Sequence, residues 1–236
     1  VFLVVLQLHY NCVNFLFHSH LFTPEEPRDN IIVPKDNDAT EKSASANKKV
    51  LDEMTAELWN FLETNIDTWT NTIEMASIDI RCSGFNDSIT ESYYKKLKDD
   101  WTTEFSKLEM MDIDDRKYSM REENHPVVLE PELCSFLSND QENDYLSVIY
   151  PFAKGAAKIP NKEELLKWSW IVAGWNSGAK ENFISLESIA DYVSKNNNGQ
   201  LHKMLTLIVD AGHSEYFEMF TLLPNREGKL MTCSQL

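Results

Sequence analysis

The stretch Pro160–Gly178 constrains the fold most, because it combines a helix start, three tryptophans and a clear stop. Asn161 and Glu164 have the spacing of a capping box, in which each side chain accepts a hydrogen bond from the other residue's backbone amide. The following apolar residues recur every three or four positions and predict a helix with two adjacent apolar rows, a pattern typical of a central helix. The rows are Leu165, Trp168, Ile171 or Val172, and Trp175, and beside them Leu166, Trp170 and Ala173. Asn176-Ser177-Gly178 predicts the end of the helix.

The tryptophans of this stretch have two interpretations: an aromatic platform for a ligand or partner, or the rings of a core helix. Aromatic residues at helical spacing usually pack a core, which favours the second. Trp175 is the exception, because it lies past Gly174 beside a turn, where a ring can be half exposed. Trp175 is therefore the one residue predicted to contact a ligand or partner.

The rest of the chain predicts a mainly α protein. Only 7 glycines occur in 236 residues, and long amphipathic patterns dominate. We expect an irregular multi-helix bundle built on a long helical hairpin (about 48–110) and a C-terminal helical cluster (about 131–223). The hairpin comprises a helix from Lys48 to about Ser77 and one from Ser88, capped by a Ser88/Glu91 box, to Met111. The helical spacing of the first rests on Val50, Met54, Leu58, Phe61 or Leu62, Trp69 and Ile73. The cluster comprises helices starting at Pro131, Asn139, Asn161, Ser185, Leu201 and Ser214. Pro151 should kink or end the second of these, and Gly212 should end the fifth.

The segments around this helical domain (48–223) have different compositions. Residues 1–22 contain no Asp, Glu, Lys or Arg, and are interpreted as a secretory-signal remnant, a core element or a membrane anchor. Residues 23–47 contain three prolines and read as a linker, in which residues 36–47 have nothing to bury. Ile31-Ile32-Val33 is expected either to form one short strand or to pack against the core. Residues 224–236 form a polar tail, and the helical domain has one candidate division near 112–130. The chain lacks an initiator Met, so we expect it to begin inside a longer precursor.

Charge narrows the classes of partner. The formal net charge of −16 disfavours nucleic-acid duplexes and anionic membrane surfaces, because both would be repelled at long range. A membrane association is predicted only if residues 1–22 are an anchor. The same charge is compatible with a basic protein partner.

The four cysteines, Cys12, Cys82, Cys134 and Cys233, are far apart and contain no C-x-x-C pair. This spacing argues against structural zinc. Two disulfides in a secreted protein and four free thiols both remain open, and sequence cannot select a pairing. A secreted or extracellular location is slightly favoured over a cytoplasmic one.

Sequence motifs for catalysis are absent: the chain contains no G-x-S-x-G, G-x-x-x-x-G-K-[ST], G-x-G-x-x-G or H-E-x-x-H. No catalytic, cofactor-binding or metal-binding residue is assigned. Two weak patterns remain. Asp112-Ile113-Asp114-Asp115 lies in an acidic region and reads as a solvated loop more readily than as a Mg²⁺ or Ca²⁺ site. His213 lies near Asp210 and Ser214 and reads as a turn residue more readily than as part of a hydrolytic triad.

Three hypotheses for function follow. The sequence favours a non-enzymatic, acidic helical interaction or structural protein, secreted in one interpretation, that binds another protein through helix surfaces. The alternatives are a small-molecule or divalent-metal-dependent enzyme without a recognisable motif, and a fragment of a larger multidomain protein. Oligomeric state cannot be derived from the sequence.

Overall fold

A computed structural model describes residues 19–25, 30–35, 41–70, 72–80, 82–138, 145–175, 180–196 and 198–236. Three predictions lie outside these residues: the interpretation of residues 1–18 with Cys12, the helix cap at Asn139, and the stop at Asn176–Gly178.

The described part of the chain is mainly helical, as predicted, with only short strands. Its helices are α1 (Glu41–Asn65), α2 (Thr72–Ala76), α3 (Ser88–Phe105), α4 (Pro131–Ser138), α5 (Tyr145–Ala156), α6 (Lys162–Gly174), α7 (Leu186–Asn196), α8 (Asn198–Asp210) and α9 (Tyr216–Met219). Its strands are β1 (Pro24–Glu25), β2 (Asn30–Ile31), β3 (Met111–Ile113), β4 (Arg116–Tyr118), β5 (Val128–Leu129), β6 (Phe183–Ile184), β7 (Leu223–Pro224) and β8 (Leu230–Met231). Within the ranges given above, no helix combines the length and apolar character that crossing a membrane would need.

The chain divides into two compact units. Unit 1 contains residues 1–111, 117–121 and 174–178, and unit 2 contains residues 112–116, 122–173 and 179–236.

The long helix of unit 1, α1, begins at Glu41 and ends at Asn65, whereas the sequence predicted residues 48 to about 77. Residues 41–47, predicted as linker, are therefore its first two turns. Ala44, Asn47, Leu51 and Leu62 are its buried positions. After Asn65 the chain makes a 3-10 turn and the short helix α2, because the threonine-rich stretch has low helix propensity.

The segment before α1 is part of unit 1 and makes contacts there. Ile31 and Val33 are buried, and β1 pairs antiparallel with β2. Asn47, 1% exposed, accepts a hydrogen bond from the Thr23 amide (2.7 Å) and donates to the carbonyls of Thr23 (2.8 Å) and Ile32 (2.9 Å). The burial of Ile31 and Val33 agrees with the expectation for the Ile31-Ile32-Val33 run, whereas the expectation that residues 36–47 bury nothing is wrong at Ala44 and Asn47.

The N-terminal cap of helix α3 lies one residue earlier than predicted. The N-cap is Asp87, whose carboxylate accepts from the Ile89 amide (2.8 Å), and Glu91 accepts from the amides of Gly84 and Phe85. The helix ends at Phe105 and not at Met111. The buried face of α3 packs against α1 through aromatic rings. The ring centroid of Trp59 lies 5.1 Å from the ring centroids of both Trp101 and Phe105, in edge-to-face contacts.

In unit 2, α5, α7 and α8 pack together around a core that includes Ile149, Ile189, Val193, Met204 and Ile208. Helix α5 continues through Pro151 to Ala156, so the proline does not end it. The Ser185 hydroxyl accepts from the Ser188 amide (3.1 Å), as its predicted capping role requires. Strands β5 and β6 pair in parallel, with Val128 opposite Phe183.

Helix α6 buries the first of its two predicted apolar rows, but the second row is partly exposed and the helix starts differently. Leu165, Trp168 and Val172 are buried, whereas Trp170 is 47% exposed. Asn161 and Glu164 do not reciprocate as a box. The Asn161 side-chain oxygen accepts from the Asp114 amide (3.3 Å), the Asn161 amide donates to the Asp112 carbonyl (3.0 Å), and Glu164 accepts from the Trp168 indole (3.3 Å).

The C-terminal part of unit 2 contains one element that the sequence reading missed. Helix α8 ends as predicted at Gly212 (φ +78°), and the His213 amide closes the turn onto the Ile208 carbonyl (3.0 Å). The predicted polar tail then forms an antiparallel hairpin, in which Leu223 lies opposite Met231.

Candidate functional site

An aromatic pair lies where α1 ends, and one of its two rings is exposed. Phe61 is 50% exposed, and its ring packs edge to face against Trp69, which is half-buried in the turn after α1, with centroids 5.9 Å apart. Glu57, one helical turn before Phe61, and Asp67, two residues before Trp69, are exposed near this pair in the chain. We call Phe61, Trp69, Glu57 and Asp67 the acidic aromatic surface; all of them belong to unit 1.

The helical register of α1 explains why Phe61 faces outward. Leu62 continues the buried row of this helix and is completely buried, so its neighbour Phe61 is turned toward the flank. The Asn65 side chain donates to the Phe61 carbonyl (2.8 Å) where the helix ends. In the next turn the Trp69 amide donates to the Ile66 carbonyl (3.1 Å). This turn brings the Trp69 ring back into contact with Phe61.

The charge of this part of the chain has one sign. Between Val50 and Ile80 the sequence contains seven acidic residues and no Lys, Arg or His: Asp52, Glu53, Glu57, Glu63, Asp67, Glu74 and Asp79. Lys48 and Lys49 pair with the first two of these, one turn along α1. Lys117 brings one cation to the region, and its ammonium donates to the main-chain carbonyls of Ile66 and Trp69. The chain around the aromatic pair is therefore acidic in sequence, and Lys117 is a cation that contacts its backbone.

A surface cavity lies on the preceding turns of α1. It has a volume of about 560 Å³ and is lined, among the described residues, by Glu53, Met54, Ala56 and Glu57. Met54 and Ala56 contribute apolar surface between the two carboxylates. The cavity and the acidic aromatic surface share Glu57, so they form a continuous strip along one helix.

Trp175, the residue predicted to be a contact, is not half exposed. It is 2% exposed, its indole donates to the Ala76 carbonyl (3.1 Å), and its ring stacks on Phe105 at 6.3 Å. The turn after Gly174 buries the ring because an indole with a satisfied N–H can enter a core. Its role as a ligand or partner contact stays a prediction. The Trp175 ring is buried and is not accessible to a ligand or partner in this structure.

The three aspartates of the acidic stretch, Asp112, Asp114 and Asp115, lie in a β-hairpin. Asp114 (φ +48°) and Asp115 (φ +64°) occupy the two turn positions between β3 and β4, where a type I′ turn requires positive φ and tolerates Asp. The Asp114 carboxylate pairs with Lys154. No group of three or more His, Cys, Asp or Glu side chains arranged to hold a metal occurs among the residues described.

His213 pairs with an acid other than the one considered from sequence. Its Nδ1 lies 2.9 Å from Glu215 Oε1, and its ring contacts Phe136 edge to face at 5.1 Å. A hydrogen bond from the His213 side chain holds the pKa of Glu215 below its usual value. The structure thus places His213 in a turn beside a carboxylate, and its hydrogen bonds do not include Asp210 or Ser214 within the described region.

Cysteine chemistry is disfavoured at the three described thiols. Burial raises the pKa of Cys82 and of Cys134, and a hydrogen bond to Glu218 raises that of Cys233. A thiol with a raised pKa is mostly protonated at neutral pH and is a poor nucleophile. These three cysteines are free thiols, and Cys12 lies outside the described residues.

Sequence reasoning missed Phe61 and Trp69 as surface residues. Both fit the helical spacing of the 48–77 prediction, in which Phe61 and Leu62 competed for one core position. The signal that distinguishes this surface is the run of acids without a base from residue 50 to residue 80, because such a run seldom covers a helix that is buried on all sides.

No protein-family model, curated protein or solved structure matches this chain significantly. The function is therefore argued from the geometry and charge described above.

Proposed function

We propose that this protein is a non-enzymatic interaction protein that binds another protein through the surface of α1. The partner segment is amphipathic and rich in Arg or Lys. The observation that carries this proposal is Phe61, half exposed against Trp69 within a stretch of seven acids and no base.

The aromatic pair supplies the affinity in this proposal. Exposed Trp and Phe side chains that become buried in a contact dominate interface energetics. An Arg guanidinium can also stack on either ring face, which contributes about 0.5–2 kcal/mol depending on its desolvation. The apolar side of the partner segment would cover Phe61 and extend toward Met54 in the neighbouring cavity.

The carboxylates supply orientation and selectivity. Glu57 and Asp67 can each form charge-assisted hydrogen bonds with guanidinium groups. The net charge of −16 attracts a basic segment at long range and repels acidic ones. Association should therefore slow as salt screens the field, while the apolar contact persists.

The experiment is an isothermal titration of the protein with two helical peptides that share a pattern, one of Arg and Leu and one of Glu and Leu. Saturable one-to-one binding of the Arg/Leu peptide, weakened by salt, is expected, with none for the Glu/Leu peptide. A Glu57→Gln/Asp67→Asn variant should bind the Arg/Leu peptide more weakly and show a smaller salt dependence. A matched Glu123→Gln/Glu181→Gln variant removes two exposed acids from unit 2 and should bind like the wild type.

Equal loss in both double variants would show that total charge, and not this surface, attracts the peptide. Equal binding of both peptides would remove the charge argument altogether. Either result would refute the proposal.

Secretion stays part of this proposal as a prediction of its own. The test is the intact mass of protein from its native source, with and without reductant. A trimmed amino terminus would support secretion, and an intact terminus would contradict it. Because Cys82, Cys134 and Cys233 are free thiols, we expect the same mass with and without reductant, which corrects the alternative of two disulfides.

A further inference from the structure

A cavity in unit 2 has a charge opposite to that of the whole protein. It has a volume of about 500 Å³ and lies between the end of α7, the first turns of α8 and the β7–β8 hairpin. The described residues that line it include no Asp or Glu: Ser194, Leu201, His202, Leu205, Pro224, Asn225, Arg226 and Gly228.

Arg226 carries the one formal charge among the described residues of the lining. Lys203 and Lys229 are exposed in the same stretches of chain but do not line the cavity, and Lys195 pairs with Asp191. The protein as a whole has a net charge of −16. A small basic area in a strongly acidic protein attracts small anions, whereas the surrounding field repels long polyanions.

The hairpin turn holds Arg226 in a defined place. The Asn225 side-chain oxygen accepts from the amides of Glu227 and Lys229, both at 2.9 Å. The Asn225 amide donates to the Lys229 carbonyl (2.9 Å), and the Asn225 carbonyl accepts from the Gly228 amide (3.0 Å). Gly228 has φ +80°, which favours glycine there. Arg226 therefore projects from a turn closed by four hydrogen bonds.

The floor of the cavity is apolar. Leu201 is 4% exposed, and Leu205 and Pro224 are beside it in the lining. His202 and Arg226 are exposed and form the polar part of the lining. An apolar floor with a few polar groups at its edge is the usual composition of a small-molecule site.

We propose that this cavity binds a small amphipathic anion, with its acidic head group on Arg226 and His202 and its apolar body against Leu201, Leu205 and Pro224. Arg226 is the principal head-group contact, because a guanidinium forms bidentate bonds with carboxylate or phosphate oxygens. This site is independent of the acidic aromatic surface, and either proposal can fail without the other.

The test uses octanoate, octanol, octylammonium and acetate as probes, titrated at equal salt and followed by backbone amide NMR of the full chain. Octanoate should saturate with shifts confined to α8 and the hairpin turn. Octanol and octylammonium lack the anion and acetate lacks the apolar body, so each should bind at least about tenfold more weakly.

Two variants locate the head group. Arg226→Gln should weaken octanoate binding about tenfold, the loss expected for one charge-assisted hydrogen bond. Lys203→Gln, which removes an exposed charge of α8 that does not line the cavity, should change it less than twofold. The proposal is overturned if octanoate does not saturate, if octanol binds as tightly, or if the two variants lose affinity equally.

Discussion

The ring of Tyr192 lies directly over Gly155. A Cβ placed on Gly155 would come within 2.6 Å of the Tyr192 ring, a distance that real Cβ atoms do not show. Glycine at this position is therefore what allows α5 and α7 to approach each other within unit 2.

Gly155→Ala should consequently destabilise the protein, because Tyr192 must swing away from its place. We expect a net loss of roughly 1 kcal/mol, the cost of overpacking reduced by the better helix propensity of alanine. Chemical denaturation followed by circular dichroism measures it. Gly174→Ala is the matched control, since a Cβ there meets nothing within 4 Å, and it should be neutral or stabilising. A destabilisation of equal size in both variants would contradict the role assigned to Tyr192.

Trp168→Ala should remove much of the stability of unit 2. The Trp168 side chain is completely buried in α6, and truncations of this size cost roughly 3–5 kcal/mol. Trp170→Ala, two residues further along the same helix and 47% exposed, should cost far less. Thermal unfolding of the two variants gives the comparison, and similar midpoints would show that α6 is not a core helix.

Asn47→Ala should loosen the segment that precedes α1. It removes three hydrogen bonds at a 1%-exposed position and leaves the partly buried Thr23 amide and Ile32 carbonyl without this partner, at a cost of roughly 1–3 kcal/mol. The exposed Asn60→Ala in the same helix is the control. Hydrogen exchange of the Thr23 amide reads the effect directly, and unchanged protection in Asn47→Ala would refute it.

Glu164→Gln should change how stability depends on pH. Burial raises the pKa of Glu164, the Trp168 indole N–H opposes the shift, and Asp112 adds to it. A raised pKa in the folded state means that the ionised form costs stability above that pKa, and that the cost vanishes below the unfolded value near 4.5. A glutamine keeps an oxygen for the indole without the charge.

The Gln variant should therefore be more stable than the wild type at neutral pH, and the difference should shrink as pH falls toward 4.5 and below. Unfolding free energies measured across that range test this, with exposed Glu123→Gln as a control that should follow the wild type. A difference that grows on acidification would have the wrong sign.

The sequence was sufficient for the helices whose signals are local. Pro131 opens α4, Ser185 caps α7 and Gly212 ends α8, because each signal acts within one helical turn. Trp168 could be assigned to the core from its spacing alone.

The sequence was insufficient where a partner distant in the chain decides the outcome. Asn161 and Glu164 have capping-box spacing, yet residues 112 and 114 take the bonds of Asn161, and Trp168 takes the carboxylate of Glu164. Trp175 is buried because Ala76, 99 residues away, offers a carbonyl to its indole.

The acidic aromatic surface could be predicted from the sequence only in part. Phe61 and Leu62 are adjacent, and helical spacing could not decide which of the two faces the core. The structure buries Leu62 and exposes Phe61, which places an aromatic ring beside Trp69 among acids.

The measurement that tests this surface most directly is the dissociation constant of the Arg/Leu peptide for the wild type, Phe61→Ala and Trp170→Ala. Both substitutions truncate an aromatic ring that is about half exposed, but only Phe61 lies in the acidic aromatic surface. We predict at least a tenfold weaker constant for Phe61→Ala, as for an interface hot spot, and less than a twofold change for Trp170→Ala. Equal constants for Phe61→Ala and the wild type would contradict the proposed function.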